Sequence, residues 1–357
     1  MINFTVGPVQ SNKIVRDIAS EQIPYFRTEE FSNLMKENEN LIKKFSYASD
    51  DSKVVFLTGS GTAAMEASVI NSMTFNDKAL VVNGGSFGKR YTEILKTYGF
   101  SYDEIKLEYG HSLKKGDLDK YDGSEYSVFI VNLLETSTGV LYDIDLISEY
   151  CRKNNILLIV DAISSFLADN INMKKNNIDI LITGSQKVLA CDPGISILVL
   201  SKRSIEIIEN NNFQCYYLNL KKALKYMENG QTPFTPAVGI LRQINARLKE
   251  IDKNGGTQSE IAKIKSNAIY FRDKIKKFNF EIASESLSNA TTALHPKNNN
   301  AYEIFLELKN KYGILVAPNI GELKDKIFRV GHIGNLNKKD INKLIRAFRK
   351  LNKKGLL

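Results

Sequence analysis

Between about residues 53 and 200, the chain alternates short, predominantly apolar segments with segments of helical periodicity. The apolar segments are KVVFLT (53–58), KALVVNGG (78–85), SVFIVNLL (127–134), ILLIVDA (156–162), IDILITG (178–184) and GISILVLS (194–201). Strands that are apolar on both faces and separated by helices are typical of a parallel sheet covered on both sides. The sequence therefore predicts an α/β fold with a mostly parallel sheet.

The pattern changes after residue 200. A long helical stretch, from about Val238 to Ile251, leads to a glycine pair and then to a second helical stretch, residues 260–278. Shorter segments and a final helix follow, which indicates a smaller α+β domain. With 357 residues the chain is long enough for two domains. We expect a large domain over residues 16–245 and a small C-terminal domain over residues 246–357.

The formal net charge of +9 raises the question of nucleic-acid binding, but the lysines are scattered along the chain. The densest basic run, residues 337–354, has apolar residues at helical spacing, so its lysines form the solvated face of an amphipathic helix. The apolar residues of this run are Ile341, Leu344, Ile345, Phe348 and Leu351. We expect no nucleic-acid partner.

Membrane, secreted and metal-binding classes are also disfavoured. No segment approaches the length of a membrane-spanning apolar helix, and the N-terminus lacks the regions of a signal peptide. The three cysteines, Cys151, Cys191 and Cys215, are widely spaced, which predicts neither a disulfide framework nor a zinc site. We expect a cytoplasmic protein without a membrane partner or a bound metal.

Ligands of open α/β sheets bind at the carboxyl ends of the strands. The first such end, Gly59-Ser60-Gly61-Thr62-Ala63-Ala64, opens a helix directly. Its backbone N–H groups and the hydroxyls of Ser60 and Thr62 suit a phosphate group. The segment also matches the dinucleotide fingerprint, which expects an acid at the end of the next strand. That strand ends in Asn83-Gly84-Gly85 instead, so the dinucleotide interpretation loses support.

Two further strand ends leave alternatives open. Phe87 lies between glycines in NGGSFGKR (83–90), where its ring could stack on a ligand or belong to the core. The hydroxyls of Glu135-Thr-Ser-Thr-Gly139 could meet polar atoms of a cofactor or form a capping turn.

A carboxylate and an amine complete the set. Asp161 follows the apolar run ILLIV, where burial is costly without a cation or hydrogen-bond donors. Lys187 follows the next strand; alone it could be only the first solvated residue after that strand. Together with a phosphate site, the pair suits pyridoxal phosphate, whose aldehyde forms a Schiff base with lysine while a carboxylate keeps the ring nitrogen protonated.

The chain as a whole resembles a known family, the class V aminotransferases of pyridoxal-phosphate fold type I. The likeness spans nearly the whole chain and is closest to the branch of alanine–glyoxylate, serine–pyruvate and 2-aminoethylphosphonate–pyruvate transaminases. The segments that carry it are FTVGPV, FLTGSGTAAMEA, VNGGSFGKR, ETSTGVLYDI, VDAISSF, GSQKVLACDPG, QTPFTPAVG and FRVGHIG. The resemblance implies the fold-type-I architecture, with a seven-stranded type of sheet.

The resemblance also implies individual roles. Those for the cofactor are phosphate binding by Ser60, Gly61, Thr62 and Gln186, ring contacts by Phe87 and Ile163, the phenolic oxygen for Thr136, and the ring nitrogen for Asp161. Thr235 would reach the phosphate of a partner subunit, which implies a homodimer with shared active sites. Arg329 would bind the substrate carboxylate, and Gly7, in an N-terminal arm of residues 1–15, would lie over the substrate. Thr232 stands where some relatives have tyrosine.

The implied activity is a ping-pong transfer of an amino group, through the Lys187 Schiff base, from a small donor to pyruvate or glyoxylate. The likeness of the PFTP and RVGHIG segments favours 2-aminoethylphosphonate and pyruvate, with alanine or serine as alternative donors. A cysteine desulfurase is a weaker alternative, because no histidine lies in the ring-stacking segment. We expect Cys191 to pack behind the cofactor and Cys215 to be structural. A non-catalytic protein of the same fold is disfavoured by the intact pair of Asp161 and Lys187.

Overall fold

The structure is a computed structural model that describes residues 1–212 and 214–357. Its strands are β1 (Ile2–Phe4), β2 (Lys53–Thr58), β3 (Lys78–Asn83), β4 (Ser101–Lys106), β5 (Val128–Asn132), β6 (Leu134–Glu135), β7 (Val140–Leu141), β8 (Leu157–Asp161), β9 (Ile180–Gly184), β10 (Ile195–Leu200), β11 (Phe280–Ile282), β12 (Thr291–Pro296), β13 (Ile314–Pro318) and β14 (Phe328–Gly331). Its α-helices are α1 (Lys13–Ala19), α2 (Glu29–Ser46), α3 (Gly61–Ser72), α4 (Ser86–Tyr98), α5 (Lys115–Leu118), α6 (Ile144–Lys153), α7 (Lys202–Asn210), α8 (Leu220–Met227), α9 (Val238–Lys253), α10 (Gly256–Ile275), α11 (Ala301–Tyr312) and α12 (Lys338–Lys353).

A seven-stranded sheet forms the centre of the molecule, with the order β2-β10-β9-β8-β5-β3-β4. The strands from β9 to β4 are parallel to their neighbours, whereas β10 is antiparallel to both β9 and β2. The reversal follows from the connection between β9 and β10, residues 185–194, which has no crossover helix to bring the chain back to the opposite edge. The prediction of a mostly parallel α/β sheet is confirmed.

All six predicted apolar strands are present, as β2, β3, β5, β8, β9 and β10. The edge strand β4 was not predicted, because its sequence SYDEIK is mostly polar; in the structure only Ile105 of this strand is buried. The sheet is covered on both faces: along β2, Val54 and Phe56 join one apolar core, and Val55 and Leu57 join another. This alternation is what a pleated strand between two helical layers requires.

A second sheet, of five strands in the order β1-β13-β14-β12-β11, packs on α10, α11 and α12 around a third core. The apolar face predicted for the final helix is buried in this core. The first strand of the chain, β1, runs parallel to β13, so the N-terminal residues belong to this sheet. The proposed domain boundary at residue 245 falls inside α9, and the division of the chain into domains stays a prediction.

Among the described residues, no helix is both long and apolar enough to cross a membrane.

Candidate active site

The carboxyl edge of the seven-stranded sheet brings Asp161 next to a second polar side chain. Asp161 ends β8 and Asn132 ends the neighbouring β5, and the two residues are paired in register. The amide Nδ2 of Asn132 donates to Oδ2 of Asp161 at 3.0 Å, and the backbone N–H of Ile163 donates to Oδ1 at 2.9 Å. Both side chains are buried. The Asp161 carboxylate is therefore held in one orientation by donors on two sides.

Burial dominates the electrostatics of this carboxylate. It raises the pKa of Asp161 to about 6, against the two hydrogen bonds and the positive charge of Lys187, which lower it. Within the described residues Asp161 has no ion-pair partner, and the Oδ1 atom of Asn132 has no hydrogen-bond partner. A cationic group that binds beside a buried carboxylate without an ion-pair partner stabilises its charged form.

Lys187 lies in the turn after β9 and is buried, with 9% of its surface exposed. Its Nζ donates to the carbonyl oxygen of Val6 at 2.6 Å. Gly7 packs so tightly on the lysine that an added Cβ would lie 2.5 Å from its Cδ and 2.8 Å from its Nζ. The φ of Gly7 is also +126°, in the left-handed region that favours glycine. The N-terminal segment thus covers Lys187, and only glycine fits at position 7.

The amine of Lys187 is less basic than that of an exposed lysine. Burial lowers its pKa to about 8, assisted by the positive charges of Arg329 and Arg90, and Asp161 acts in the opposite direction. At neutral pH a larger fraction of this amine is therefore unprotonated, which is the form that attacks a carbonyl carbon.

An open helix start lies against Ile163, two residues after Asp161. Ser60 is the N-cap of α3, but its side chain makes no capping hydrogen bond, and Ser60 is exposed. A Cβ on Gly61 would collide with Cδ1 of Ile163, so the start of α3 and the second residue after Asp161 are in close contact. Gln186 is half-buried, and its carbonyl oxygen accepts from the N–H of Val9 at 3.3 Å. The arrangement leaves N–H and O–H donors free for an anion.

Phe87, in the first turn of α4, is half-buried. The N–H groups of Phe87 and Gly88 both donate to Oε2 of Glu135 at 3.1 Å, and the other carboxylate oxygen of Glu135 accepts from Ser137. Burial raises the pKa of Glu135, and these hydrogen bonds lower it. Glu135 thus takes the role of a cap for α4 and fixes the turn that carries Phe87.

Arg329, on β14, approaches the same edge from the five-stranded sheet. Its guanidinium donates to the carbonyl oxygens of Thr136, at 3.2 Å, and Pro318, at 2.5 Å. Its Nε is buried and has no partner in the described part of the chain. Burial lowers the pKa of Arg329 to about 10, while Glu135 acts to raise it. The Thr136 hydroxyl is buried and lies 3.0 Å from Ser164 Oγ and 3.2 Å from the carbonyl oxygen of Leu134.

Thr235 lies apart from this group. It is exposed, in the segment between Thr232 and α9, and it makes no hydrogen bond to the other predicted site residues among those described. Thr232 is buried, and its hydroxyl donates to the carbonyl oxygen of Phe234 at 2.8 Å.

Three residues near the site were not given a role from the sequence: Arg90, Asn132 and Glu135. Asn132 carried the same signal as Asp161, a polar residue at the end of an apolar strand, and this signal could have identified it. Arg90 follows Phe87 by three residues on α4, so helical spacing indicates a shared face. Nothing in the sequence alone indicates that Glu135 caps a helix distant in the chain.

These residues fit pyridoxal phosphate. The carboxyl edge of the sheet offers a buried carboxylate without an ion-pair partner among the described residues, a buried amine of lowered pKa and a helix start whose N-cap side chain makes no capping hydrogen bond. Glycines at positions 7 and 61 leave room that a Cβ would fill. Asp161 suits a protonated ring nitrogen, Lys187 suits an aldehyde, and the start of α3 suits a phosphate group.

Comparison with known proteins identifies the family. The family description "Aminotransferase class-V" matches residues 23–319. The chain is 33% identical over 324 residues to an uncharacterized aminotransferase of Methanocaldococcus jannaschii, covering 88% of this chain and 83% of that protein. It is 24% identical over 356 residues to a 2-aminoethylphosphonate–pyruvate transaminase of Bacillus cereus, covering 97% and 96%.

A solved structure agrees with these sequence matches. The aspartate aminotransferase of Thermus thermophilus, which belongs to subgroup IV, is similar to this chain with a TM-score of 0.92 at 25% identity, covering 99% of both chains. The predicted fold type, cofactor and enzyme class are confirmed. The chain belongs to the class V aminotransferases, which are enzymes that use pyridoxal phosphate.

Proposed function

We propose that the enzyme transfers an amino group from a small acid-bearing amine to a small 2-oxo acid by a ping-pong mechanism, with Lys187 and Asp161 as its catalytic residues. The observation that carries this proposal is the guanidinium of Arg329, whose buried Nε has no partner among the described residues. The positive charge of Arg329 acts to lower the pKa of Lys187, and Arg329 donates to the carbonyl oxygen of Thr136. A guanidinium binds a carboxylate or phosphonate in a bidentate manner.

The cofactor would be held by groups at the ends of five strands, β2, β3, β6, β8 and β9. When bound, pyridoxal phosphate supplies an aldehyde for amino groups and a ring that accepts electrons. The residues that we assign to it are Ser60, Gly61, Thr62 and Gln186 at the phosphate, Phe87 and Ile163 at the ring faces, Thr136 at the phenolic oxygen and Asp161 at the ring nitrogen. The free donors at the start of α3 and the fixed turn of Phe87 support these roles.

Two residues would handle protons. Lys187, with its lowered pKa, exchanges a proton readily near neutral pH, as a general base in amino-group transfer must. Asp161 keeps a proton on the ring nitrogen through its negative charge, and Asn132 supports that charge with its hydrogen bond. Gly7 and the carbonyl of Val6 close the lysine from the N-terminal side, which excludes water from this edge.

Among donors, we propose 2-aminoethylphosphonate with pyruvate as the preferred pair. Support comes from the likeness to the Bacillus cereus transaminase over nearly the whole of both chains. Alanine or serine with glyoxylate or pyruvate is the second candidate, because their carboxylates would bind Arg329 equally well.

A coupled assay of the purified enzyme with a donor panel tests the function. 2-Aminoethylphosphonate, alanine and serine are each offered with pyruvate or glyoxylate, and a matched amine without an acid group, ethylamine, serves as the control. We expect the highest kcat/KM with 2-aminoethylphosphonate and pyruvate, and little turnover of ethylamine. Equal rates with ethylamine would contradict the acid-bearing substrate class, and a higher kcat/KM with alanine or serine would contradict the phosphonate preference.

The burial and the raised pKa of the three thiols do not suit the nucleophile of a cysteine desulfurase. Cys191 and Cys151 are buried, and burial raises the pKa of both thiols well above the ordinary value. Cys215 is half-buried, and burial raises its pKa too. A nucleophilic cysteine needs an accessible thiolate of low pKa, which is the opposite condition.

We also propose a homodimer in which Thr235 contributes to the partner's phosphate site. Large aromatic side chains are exposed beside Thr235: Tyr216 is 78% exposed and Tyr217, stacked on Phe234, is 47% exposed. Exposed apolar patches of this kind mark interaction surfaces. Mixing inactive Lys187→Ala protein with a severely impaired Thr235→Ala variant should restore part of the activity through hybrid dimers. A fully active monomer by light scattering would exclude the shared site.

A further inference from the structure

Arg90 is a charged residue inside the candidate site to which the proposed function gives no role. It lies in the second turn of α4 and is half-buried, on the same helix face as Phe87. Its guanidinium carbon lies 4.9 Å from the centroid of the Phe87 ring. Its Nη1 donates to Oγ1 of Thr62 at 3.2 Å. Arg90 therefore connects the start of α4 with the start of α3.

The hydrogen bond from Arg90 determines what the Thr62 hydroxyl can do. A hydroxyl has one proton and two lone pairs, and here a guanidinium N–H occupies one lone pair. The hydroxyl proton must point away from that cation, because two donors repel each other. Among the described residues, Thr62 Oγ1 donates to no protein acceptor. The O–H group is thus left as a donor at the start of α3, where Ser60 is also free.

Two further features keep the guanidinium in place. A guanidinium over an aromatic ring is attracted by the ring's electron density, and its planar shape restricts its motion. The ring in question is Phe87, whose own turn is fixed by Glu135. The charge is also felt at Lys187, since Arg90 contributes to lowering the pKa of that amine. The charge of Arg90 thus reaches the amine to which the cofactor would attach.

We propose that Arg90 is a positioning residue for the cofactor phosphate, which it serves by holding the Thr62 hydroxyl as a donor to a phosphate oxygen. The proposal rests on the assignment of Thr62 to the phosphate under the proposed function. It predicts that Arg90 discriminates between pyridoxal phosphate and pyridoxal, which has the same ring and aldehyde but no phosphate group. A residue that only supports the fold or the Phe87 ring would affect both compounds equally.

The first experiment measures the dissociation constants of both compounds by absorbance titration of the cofactor-free enzyme. Arg90→Met removes the charge and the donors but keeps a long apolar stem over Phe87. We expect its affinity for pyridoxal phosphate to fall about 10- to 100-fold, the range of a charge-assisted hydrogen bond, and its affinity for pyridoxal to change less than about threefold. Lys89→Met is the matched control, because it removes one charge from the exposed face of α4.

Equal losses for the two compounds, or no loss for either, would overturn the proposal. If Arg90→Met lowers the folded fraction seen by circular dichroism, Arg90→Lys provides the same comparison with the charge retained. Arg90→Lys should lose less than Arg90→Met for pyridoxal phosphate, and again little for pyridoxal.

A double-mutant cycle tests whether Arg90 acts through Thr62. Thr62→Val removes the hydroxyl with little change in shape. In the Thr62→Val background, Arg90→Met should cost less than about threefold in affinity for pyridoxal phosphate, because the group it positions is gone. Additive losses would show that Arg90 acts independently of Thr62 and would refute the inference.

The wild-type enzyme separates this inference from the proposed function. If the wild type binds pyridoxal phosphate no more tightly than pyridoxal, the phosphate site at α3 is wrong, and both proposals fail. If the wild type prefers pyridoxal phosphate strongly and the Arg90 variants keep that preference, only the role of Arg90 is refuted.

Discussion

The proposed cofactor side of the site, Asp161, Asn132 and Lys187, and the proposed substrate side, Arg329, are built differently. On the cofactor side, Asp161 and Asn132 come from strands adjacent in one sheet and bond to each other through their side chains. On the substrate side, Arg329 comes from the other sheet and donates to two backbone carbonyls.

The difference has a physical consequence. A backbone carbonyl stays in place whatever side chain its residue carries, so the neighbours of Arg329 can be substituted without losing its support. The carboxylate of Asp161, in contrast, takes one of its two hydrogen bonds from the side chain of Asn132, and that bond depends on the identity of the residue. We expect the cofactor side to tolerate few substitutions and the substrate side to be the place where donor preference changes. Four substitutions test this contrast, in order of decreasing expected effect.

Lys187→Ala should abolish transamination, a loss on the order of 10⁴-fold or more, because the amine that attaches the cofactor and moves the proton is gone. Borohydride reduction of the wild type with pyridoxal phosphate should attach the cofactor to the peptide that contains Lys187. Attachment to another lysine would refute the assignment.

Asp161→Asn should lower kcat on the order of 100-fold or more while cofactor affinity falls much less. The amide has nearly the same shape but no charge to keep a ring nitrogen protonated. Steady-state kinetics and cofactor titration measure the two effects separately. A near-normal kcat would mean that another group provides the charge, and the two sides would then differ less than we propose.

Arg329→Lys should lower kcat/KM roughly 30- to 1000-fold for both the donor and the 2-oxo acid, because an ammonium cannot reproduce the bidentate contact. Rates with ethylamine, which has no acid group, are the control and should change little. A similar slowing of acid-bearing and acid-free amines would make Arg329 structural rather than a substrate ligand.

The smallest effect is expected at Asp169. Its hydrogen bonds connect the segment after β8, which carries Asp161, with the segment before β12, the strand that pairs with the β14 of Arg329. Its carboxylate accepts from Ser288 Oγ at 2.5 Å and from the N–H of Asn289 at 2.8 Å. Burial raises its pKa to about 6 from its ordinary value of 3.8. Between about pH 4 and 6 the folded chain therefore binds more protons than the unfolded chain, so this group lowers the free energy of unfolding as the pH rises.

Asp169→Asn does not titrate, and its stability relative to the wild type should rise between pH 4 and pH 6. The rise should be at most about 3 kcal/mol, from about two pKa units at roughly 1.4 kcal/mol each. Urea unfolding of the cofactor-free proteins at several pH values gives the difference. A difference that does not change with pH would show that Asp169 is not protonated in the folded chain.

The sequence was informative wherever the signal is local. Apolar runs predicted the strands, and polar residues at their ends predicted that Asp161 and Lys187 would share an edge, because parallel strands end on the same side of a sheet. The reversed direction of β10 was not predicted, since composition does not distinguish parallel from antiparallel pairing when both faces are buried.

Contacts between distant segments could not be predicted from the sequence. The bond between Asn132 and Asp161 depends on strand register, and the capping of α4 by Glu135 depends on how two loops meet. The carbonyl partners of Arg329 are those of Thr136, between β6 and β7, and Pro318, at the end of β13. Such contacts arise from tertiary packing, which local periodicity does not encode.

The pairing of β1 has a consequence for how the cover over Lys187 forms in folding. Val6 and Gly7, which cover the lysine, follow β1, and β1 pairs with Ile314–Val316, which lie far away in the sequence. Contacts between segments so far apart are slow to form, because the entropy of closing a long loop must be lost first. We therefore expect the cover over the amine of Lys187 to form late in folding.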